Sequence, residues 1–170
     1  MNIRPATAAD AHSIAEVHVR AWQAAYQSIF PPATLQALSV ASREELWRTA
    51  IAAGSPELLI AQLGDEIVGF VAFGALRIQK AEADQGEIWF INLDPAHWQK
   101  GIGKALMLSA RQHLAAAGFR AVSLWVLEEN ARARLFYERL GLRLVSNSRK
   151  ELVFSGTKAF EVLYEWHTDG

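Results

Sequence analysis

The sequence predicts one α/β domain in which helices cover both faces of a mixed β-sheet. Apolar residues recur with strand spacing in some segments and with helical spacing in others, and the two kinds alternate along the chain. The unit over residues 86–127 has the order strand, helix, strand, which requires a parallel pair with a right-handed crossover. Two earlier apolar runs separated by Gly64-Asp65 indicate a hairpin and therefore antiparallel neighbours.

The composition is typical of a globular protein with one core. The chain has 170 residues, of which 51% are hydrophobic, which suits a single domain over residues 1–170 and argues against disorder. The 17 basic and 18 acidic residues are balanced, so neither nucleic acid nor a membrane surface is an expected partner. There is no cysteine, and the five histidines lack paired ligand spacing, so we expect no metal site. Without a signal peptide or a long apolar run, the expected location is the cytoplasm.

In the first half of the chain, several helices lie between two strand regions. The predicted elements are a strand over residues 2–6, a helix from residues 7–10 to Ala25, a short helical segment with Leu35 and Leu38, a helix over residues 41–53, and hairpin strands over residues 58–63 and 66–78. Ser42 is the expected cap of the helix 41–53, because Glu45 follows it at capping-box spacing.

In the second half, two strand–helix units precede a final group of strands. The predicted elements are a solvated loop over residues 79–85, a strand over 87–93, a helix from Lys104 to Gly118, a strand over 119–127, a helix from Asn130 to Gly141, and strands over 142–146 and 159–164. Residues 150–154 are a candidate extension of the strand 142–146.

The turn after the strand 87–93 has the composition of a phosphate-binding site. The first N–H groups of a helix have no partner within it, and the helix dipole places positive potential there. Gly101 and Gly103 lack a Cβ atom that would keep a phosphate from the backbone, and Lys100 and Lys104 add positive charge. The alternative is an ordinary turn in which glycine serves only the backbone angles.

Two other phosphate motifs are excluded by their spacing. A P-loop has Ser or Thr directly after Gly-Lys, whereas Ala105 follows Gly103-Lys104 in this chain. A dinucleotide-binding fingerprint has Gly or Ala three residues after its second glycine, and Leu106 occupies that position.

The order of elements and two motifs resemble the GNAT superfamily of N-acetyltransferases. The first motif is the glycine turn, whose family pattern is Gln or Arg, two residues, Gly, one residue, then Gly or Ala. Gly101 and Gly103 fit this pattern, but Trp98 stands at the Gln/Arg position and Gln99 follows one residue late. The second motif is similar to the family's Asn-x-x-Ala-x-x-Phe-Tyr-Glu segment followed by glycine, and it runs Asn130-Ala131-Arg132-Ala133-Arg134-Leu135-Phe136-Tyr137-Glu138-Arg139-Leu140-Gly141.

The resemblance implies a sheet topology and acetyl-coenzyme A as the acyl donor. The sheet would have six to seven strands, mostly antiparallel, with a central parallel pair that splays apart, and acetyl-coenzyme A would lie between the strands 87–93 and 119–127. Backbone groups of the first strand would pair with the pantetheine arm, namely Ile91, Asn92 and Leu93. Backbone N–H groups of the turn would hold the pyrophosphate, namely Gln99, Lys100, Gly101, Ile102, Gly103 and Lys104.

The resemblance also implies roles for four kinds of side chain. Tyr137 aligns with a tyrosine that acts as acid toward the departing thiolate, with aromatic packing beside Phe136 as the alternative. Asn130 aligns with an asparagine that contacts the coenzyme, although a helix cap would also explain it. Glu87 is the candidate general base, acting through water, unless it is an exposed carboxylate at a strand end. Trp22 and Tyr26 are candidate walls of the acceptor pocket, with core packing as the alternative for Trp22.

The predicted function is transfer of an acetyl group from acetyl-coenzyme A to a primary amine, by direct attack in a ternary complex. A small-molecule acceptor is favoured, and the late apolar strands offer a surface for a homodimer. The alternatives are a different acyl donor, a peptide N-terminus or lysine as acceptor, and a module that binds acyl-coenzyme A without catalysis.

Overall fold

The computed structural model describes residues 1–77 and 84–167. The strands are β1 (Asn2–Pro5), β2 (Glu57–Leu63), β3 (Glu66–Ala75), β4 (Gln85–Leu93), β5 (Ala121–Leu127), β6 (Arg143–Leu144), β7 (Lys150–Phe154) and β8 (Thr157–His167). The helices are α1 (Ala11–Ala25), α2 (Pro32–Gln36), α3 (Val40–Ala53), α4 (Ile102–Ala116) and α5 (Ala131–Arg139). None of these helices combines the length and the hydrophobicity that crossing a bilayer would require.

Within these described residues, one sheet of eight strands has the order β1-β2-β3-β4-β5-β8-β6, and β7 also pairs with β8. The pairings are antiparallel except for β4 with β5, so the predicted mixed, mostly antiparallel sheet is confirmed. The prediction that residues 150–154 extend the preceding strand is wrong. They form a hairpin with β8 through Ser155 and Gly156, whose φ angles of 47° and 79° suit a two-residue turn, and this adds a strand to the predicted number.

Two layers of helices cover the sheet. On one face, α1 and α3 pack on β2 and β3 through residues that include Ile14, Trp47 and Phe70. On the other face, α4 and α5 pack through residues that include Leu106 and Tyr137. A smaller cluster joins Phe30 and Leu35, near α2, to Leu127 and Ala159 of β5 and β8. The prediction of helices on both faces is therefore confirmed.

The parallel pair at the centre of the sheet is short. β4 pairs with β5 only over Gln85–Glu87 and Ala121–Ser123, although the two strands continue to Leu93 and Leu127. Beyond Glu87, β4 remains paired with β3 and β5 remains paired with β8. The two halves of the sheet therefore diverge, and the predicted splayed pair is confirmed.

A β-bulge at Trp89 changes the direction of the side chains along β4. Phe73 of β3 pairs with Ile88, but its neighbour Ala72 pairs with Phe90, so Trp89 is an extra residue on β4. Because of this insertion, Ile88 packs in the core under α4 while Phe90 packs in the core under α1. Without the bulge, two residues at this spacing would lie on the same face.

Several element ends differ from the predicted ones. α3 begins at Val40, and Ser39 caps it by accepting a hydrogen bond from the Ser42 N–H at 3.2 Å, so the prediction of Ser42 as cap is wrong. β3 ends at Ala75, whereas Ile78 and most of the predicted loop over residues 79–85 lie outside the described residues.

His18 is a buried polar side chain that links α1 to α3. It is 1% exposed, and its Nδ1 accepts a hydrogen bond from Trp47 Nε1 at 3.1 Å. The rings of Trp22, Phe70 and Phe90 surround it, and no described residue bonds to its Nε2. Burial, with a smaller contribution from the charge of Arg43, lowers the pKa of His18 to about 3.

This burial predicts an acid-sensitive contribution to stability. His18 stays neutral in the folded protein, whereas the unfolded chain binds a proton below pH ~6.5. The free energy of unfolding should therefore fall as the pH is lowered, by about 1.4 kcal/mol per pH unit between pH 6 and 4. The variant His18→Gln keeps an acceptor for Trp47 and loses this dependence. Urea titrations of both proteins at several pH values would measure it, and equal slopes would contradict it.

Candidate active site

The divergence of β4 and β5 leaves backbone groups of β4 without a neighbouring strand. The Asp94 N–H donates to the Val68 carbonyl of β3, so alternate residues back along β4 face β3 in the same way. Asn92, paired with Phe70, is one of these residues. The backbone groups of Ile91 and Leu93 point the other way, into the opening. Of the three predicted pantetheine contacts, these two present backbone groups to it.

Trp98 provides a hydrogen-bond partner for one of the backbone groups that the divergence of β4 and β5 leaves unpaired. Its indole Nε1 donates to the Leu93 carbonyl at 3.0 Å, a group that a longer β5 would otherwise bond. The Ile91 N–H and C=O and the Leu93 N–H remain on the open edge of β4. The residue that departs from the family pattern therefore supports the end of the strand.

The turn between Trp98 and α4 presents free N–H groups at the same end of the opening. Gln99 and Gly101 have φ angles of 62° and 80°, and for Gln99 this backbone conformation is strained. The first N–H of α4 to bond within the helix is that of Ala105, to Gly101, and no side chain of a described residue caps the helix. The N–H groups of the first three helical residues therefore have no partner there, and these residues are Ile102, Gly103 and Lys104.

The two glycines of the turn have different physical roles. Gly101 adopts a left-handed conformation, and a Cβ there would meet nothing within 4 Å. Gly103 is buried, and a Cβ there would lie 3.2 Å from Cζ of Phe136 on α5. The absence of a side chain at Gly103 thus allows α4 to approach α5, whereas the sequence argument attributed it to access for a phosphate.

Tyr137 lies in α5 with its hydroxyl available to a ligand. The residue is 7% exposed, and its ring packs against Phe136 and Tyr164. No described residue forms a hydrogen bond with the hydroxyl, in contrast to Tyr164, which donates to Glu138 at 2.6 Å. Burial and, to a smaller extent, Tyr26 raise the pKa of Tyr137, so its hydroxyl holds its proton at neutral pH.

Asn130 is the cap of α5. Its Oδ1 accepts a hydrogen bond from the Ala133 N–H at 3.2 Å, which is the alternative considered for this residue. The side-chain amide nitrogen has no bond to a described residue and remains a free donor near the end of β5.

Glu87 is a buried carboxylate, 1% exposed, at the last paired position of β4 and β5. The alternative of an exposed strand-end carboxylate is therefore wrong. Glu87 accepts hydrogen bonds from the backbone N–H of Arg77 at 3.0 Å and from its guanidinium, with Nη2 at 2.5 Å. Arg77 also lies over the Trp89 ring, 4.7 Å from its centroid. These donors hold the carboxyl group of Glu87 in one orientation.

Trp22 and Tyr26 belong to an aromatic group that also contains Phe30 and Phe154. The Trp22 ring contacts Tyr26 at 5.1 Å and Phe154 of β7 at 5.3 Å, between ring centroids. Both residues are half-buried, so they pack and still present surface. Burial and the nearby carboxylate of Glu161 raise the pKa of Tyr26 to about 12.

Sequence reasoning missed two arginines at this site. Arg77, ten residues before Glu87, pairs with it across β3 and β4, and no local pattern indicates that pairing. Arg132 lies with its Cζ 3.2 Å from the centroid of the Trp98 ring. It occupies a variable position of the second motif, so the motif locates it but assigns it no role.

Known proteins resemble this chain along most of its length. A family model described as the acetyltransferase (GNAT) family matches residues 14–142. The uncharacterized N-acetyltransferase YuaI of Bacillus subtilis (strain 168) is 30% identical over 169 residues, which cover 98% of this chain and 92% of that protein.

Two solved structures have a similar fold. The PaiA N-acetyltransferase of Thermoplasma acidophilum, in complex with coenzyme A, has a TM-score of 0.73 and 21% identity, with 98% of each chain covered. YncA of Salmonella typhimurium, with its cofactor acetyl-CoA, has a TM-score of 0.75 and 18% identity, covering 99% of this chain and 94% of that one.

Two tyrosine substitutions should affect stability differently. Tyr137→Phe removes a hydroxyl that bonds to no residue in the described part of the chain, so the free energy of unfolding should change by less than about 0.5 kcal/mol. Tyr164→Phe removes hydrogen bonds to the charged side chains of Glu138 and Arg134 and should cost about 1–3 kcal/mol. Urea unfolding of both variants measures this, and a comparable loss in Tyr137→Phe would mean that its hydroxyl is bonded.

Proposed function

Because the chain belongs to the acetyltransferase (GNAT) family, and is thus an acyltransferase, we propose that it transfers the acetyl group of acetyl-coenzyme A to the primary amine of a small acceptor. The observation that supports this most is the free polar edge of β4 inside the opening. Ile91 and Leu93 offer backbone groups at the spacing of a missing strand. An extended ligand with amide groups would complete the ladder there.

The donor fits the groups that line the opening. The amides of the pantetheine arm match the open edge of β4, and the diphosphate matches the free N–H groups at the start of α4. The left-handed Gly101 leaves open space beside that turn. The PaiA protein in complex with coenzyme A and YncA with acetyl-CoA support acetyl-coenzyme A as the donor.

The chain's own residues suit direct attack in a ternary complex. Bound acetyl-coenzyme A supplies a thioester carbonyl and a thiol leaving group. The acceptor amine is mostly protonated at pH 7, because its pKa is about 10, so a base must remove a proton. Glu87 takes this proton through water, while three N–H donors of Arg77 hold its carboxylate in place.

The backbone N–H of Ile91 and the hydroxyl of Tyr137 would act on the thioester of the donor. The Ile91 N–H, which faces the opening, donates to the carbonyl oxygen of the acetyl group as negative charge develops on it. The Tyr137 hydroxyl gives its proton to the departing sulfur, and its raised pKa keeps that proton in place until then. Asn130 contributes its free amide nitrogen to the coenzyme. The chain therefore supplies a base, an oxyanion donor and an acid.

The aromatic group favours a small acceptor over a peptide. Phe154 of the β7–β8 hairpin contacts Trp22 at 5.3 Å and Phe30 at 5.2 Å, so the hairpin meets the end of α1. A long groove for a peptide would require these elements to be apart. The pocket walls would then be Trp22 and Tyr26. A homodimer through the late strands stays a prediction.

Release of free thiol from acetyl-coenzyme A tests the proposed function. The wild type and Tyr137→Phe should be assayed with amines, amino acids, aminoglycosides and short peptides. We expect turnover with one small acceptor class and a kcat about a hundredfold lower in Tyr137→Phe, because general acid catalysis is lost. The matched control is Tyr164→Phe, which should lose stability and retain kcat.

Other results of this assay would change the proposal in defined ways. Turnover with peptides alone would contradict the small acceptor. An unchanged kcat in Tyr137→Phe would remove Tyr137 as the acid. Thermal stabilisation by acetyl-coenzyme A without thiol release across the panel would favour a binding module.

The role of Glu87 has its own test. Glu87→Gln removes the base and should lower kcat by about a hundredfold. Arg77→Gln breaks the same ion pair but leaves the carboxylate, so it should lose stability with a far smaller effect on kcat. Equal kcat values in Glu87→Gln and Arg77→Gln would contradict the role of Glu87 as base, and would mean that it only pairs with Arg77 to stabilise the structure.

A further inference from the structure

The glycine turn lacks one positive or polar side chain that its family pattern would supply. Trp98 occupies that position, and the one donor of its side chain, the indole Nε1, bonds to the Leu93 carbonyl. On the turn itself, Lys100 and Lys104 are exposed and extend from flexible stems. The side chain that would form directed bonds to a diphosphate is therefore missing from its usual place.

Arg132 places a guanidinium at this position from another element. It lies in the first turn of α5, and its Cζ is 3.2 Å from the centroid of the Trp98 ring. Stacking covers one face of the planar group and leaves its N–H edges free. Among the residues that the structure describes, no carboxylate pairs with Arg132 and no group hydrogen-bonds to it. Although Arg132 is exposed, partial desolvation lowers its pKa.

This stacked pair spans the mouth of the opening. Trp98 is anchored to the end of β4 through Leu93, and Arg132 belongs to the helix that follows β5. The contact between the guanidinium and the Trp98 ring therefore links the end of β4 to the helix that follows β5. The free N–H groups of α4 begin four residues after Trp98 in the chain, at Ile102.

We propose that Arg132, oriented by Trp98, binds the diphosphate of the donor and replaces the side chain that the glycine turn lacks. This inference rests on the proposed function. An arginine can donate two parallel hydrogen bonds to phosphate oxygens, and these are among the stronger bonds available to a protein. The N–H groups of α4 would hold the diphosphate from the backbone side and Arg132 from the opposite wall.

Affinities for truncated donors test the proposal without knowledge of the acceptor. Calorimetry should measure the dissociation constants of coenzyme A, 3′-dephospho-coenzyme A and pantetheine for the wild type and Arg132→Gln. We expect Arg132→Gln to weaken coenzyme A and the dephospho form alike, by about ten- to a hundredfold, because a charged hydrogen bond is lost. Pantetheine, which has no diphosphate, should bind both proteins equally.

The matched control is Arg139→Gln, which removes the same charge from an exposed position on the same helix and should leave all three affinities unchanged. Arg132→Lys keeps the charge but not the planar stack, and Trp98→Leu removes the platform, so both should weaken the two diphosphate ligands. Thermal unfolding without ligand establishes that each variant is folded.

Several outcomes would overturn the inference. Equal affinity of Arg132→Gln and the wild type for coenzyme A would do so, as would an equal loss for pantetheine, which would indicate a general structural effect. Loss for coenzyme A but not for its dephospho form would assign Arg132 to the 3′-phosphate instead. If the wild type bound none of the ligands, the proposed function itself would fail, which is a distinct result.

Discussion

The early end of the β4–β5 ladder is the constraint on which the rest of the site depends. A buried backbone N–H or C=O without a partner costs about 1–3 kcal/mol, so each group freed by the divergence needs another partner. The Leu93 carbonyl has one in the Trp98 indole, and Trp98 in turn supports Arg132. Ile91 has none from the sheet. The fold thus contains a ladder that only a further extended chain can complete.

The order of the elements could be predicted because its signals are local. α5 is an example: Asn130 caps it and Gly141, with a φ of 88°, follows its end, and both residues are recognisable in the sequence. The β7–β8 hairpin could not be predicted in this way, because its turn requires a positive φ at Ser155, a residue that does not usually adopt one. The bulge at Trp89 also has no local signal, since it exists only through the register of β4 with β3.

For the candidate site, too, the sequence predicted what depends on local signals and not what depends on contacts between elements. The motifs located Tyr137 and the glycine turn, because a helix and a turn keep neighbours in sequence together in space. The motifs do not indicate which residues surround each of these positions in the folded protein. Glu87 is buried under Arg77, and Gly103 is small because Phe136 approaches it from α5. These facts depend on contacts between elements, which one sequence without its fold does not specify.

The contact between Trp22 and Phe154 has a consequence for how this protein can change over evolution. In the proposed function, one continuous stretch from β4 to α5 would hold the donor, whereas the acceptor pocket would join the end of α1 to the β7–β8 hairpin. Substitutions at the end of α1 or in the hairpin would then alter the proposed acceptor pocket, while the segment from β4 to α5 keeps its own internal contacts. One donor can therefore be combined with many acceptors on a single scaffold.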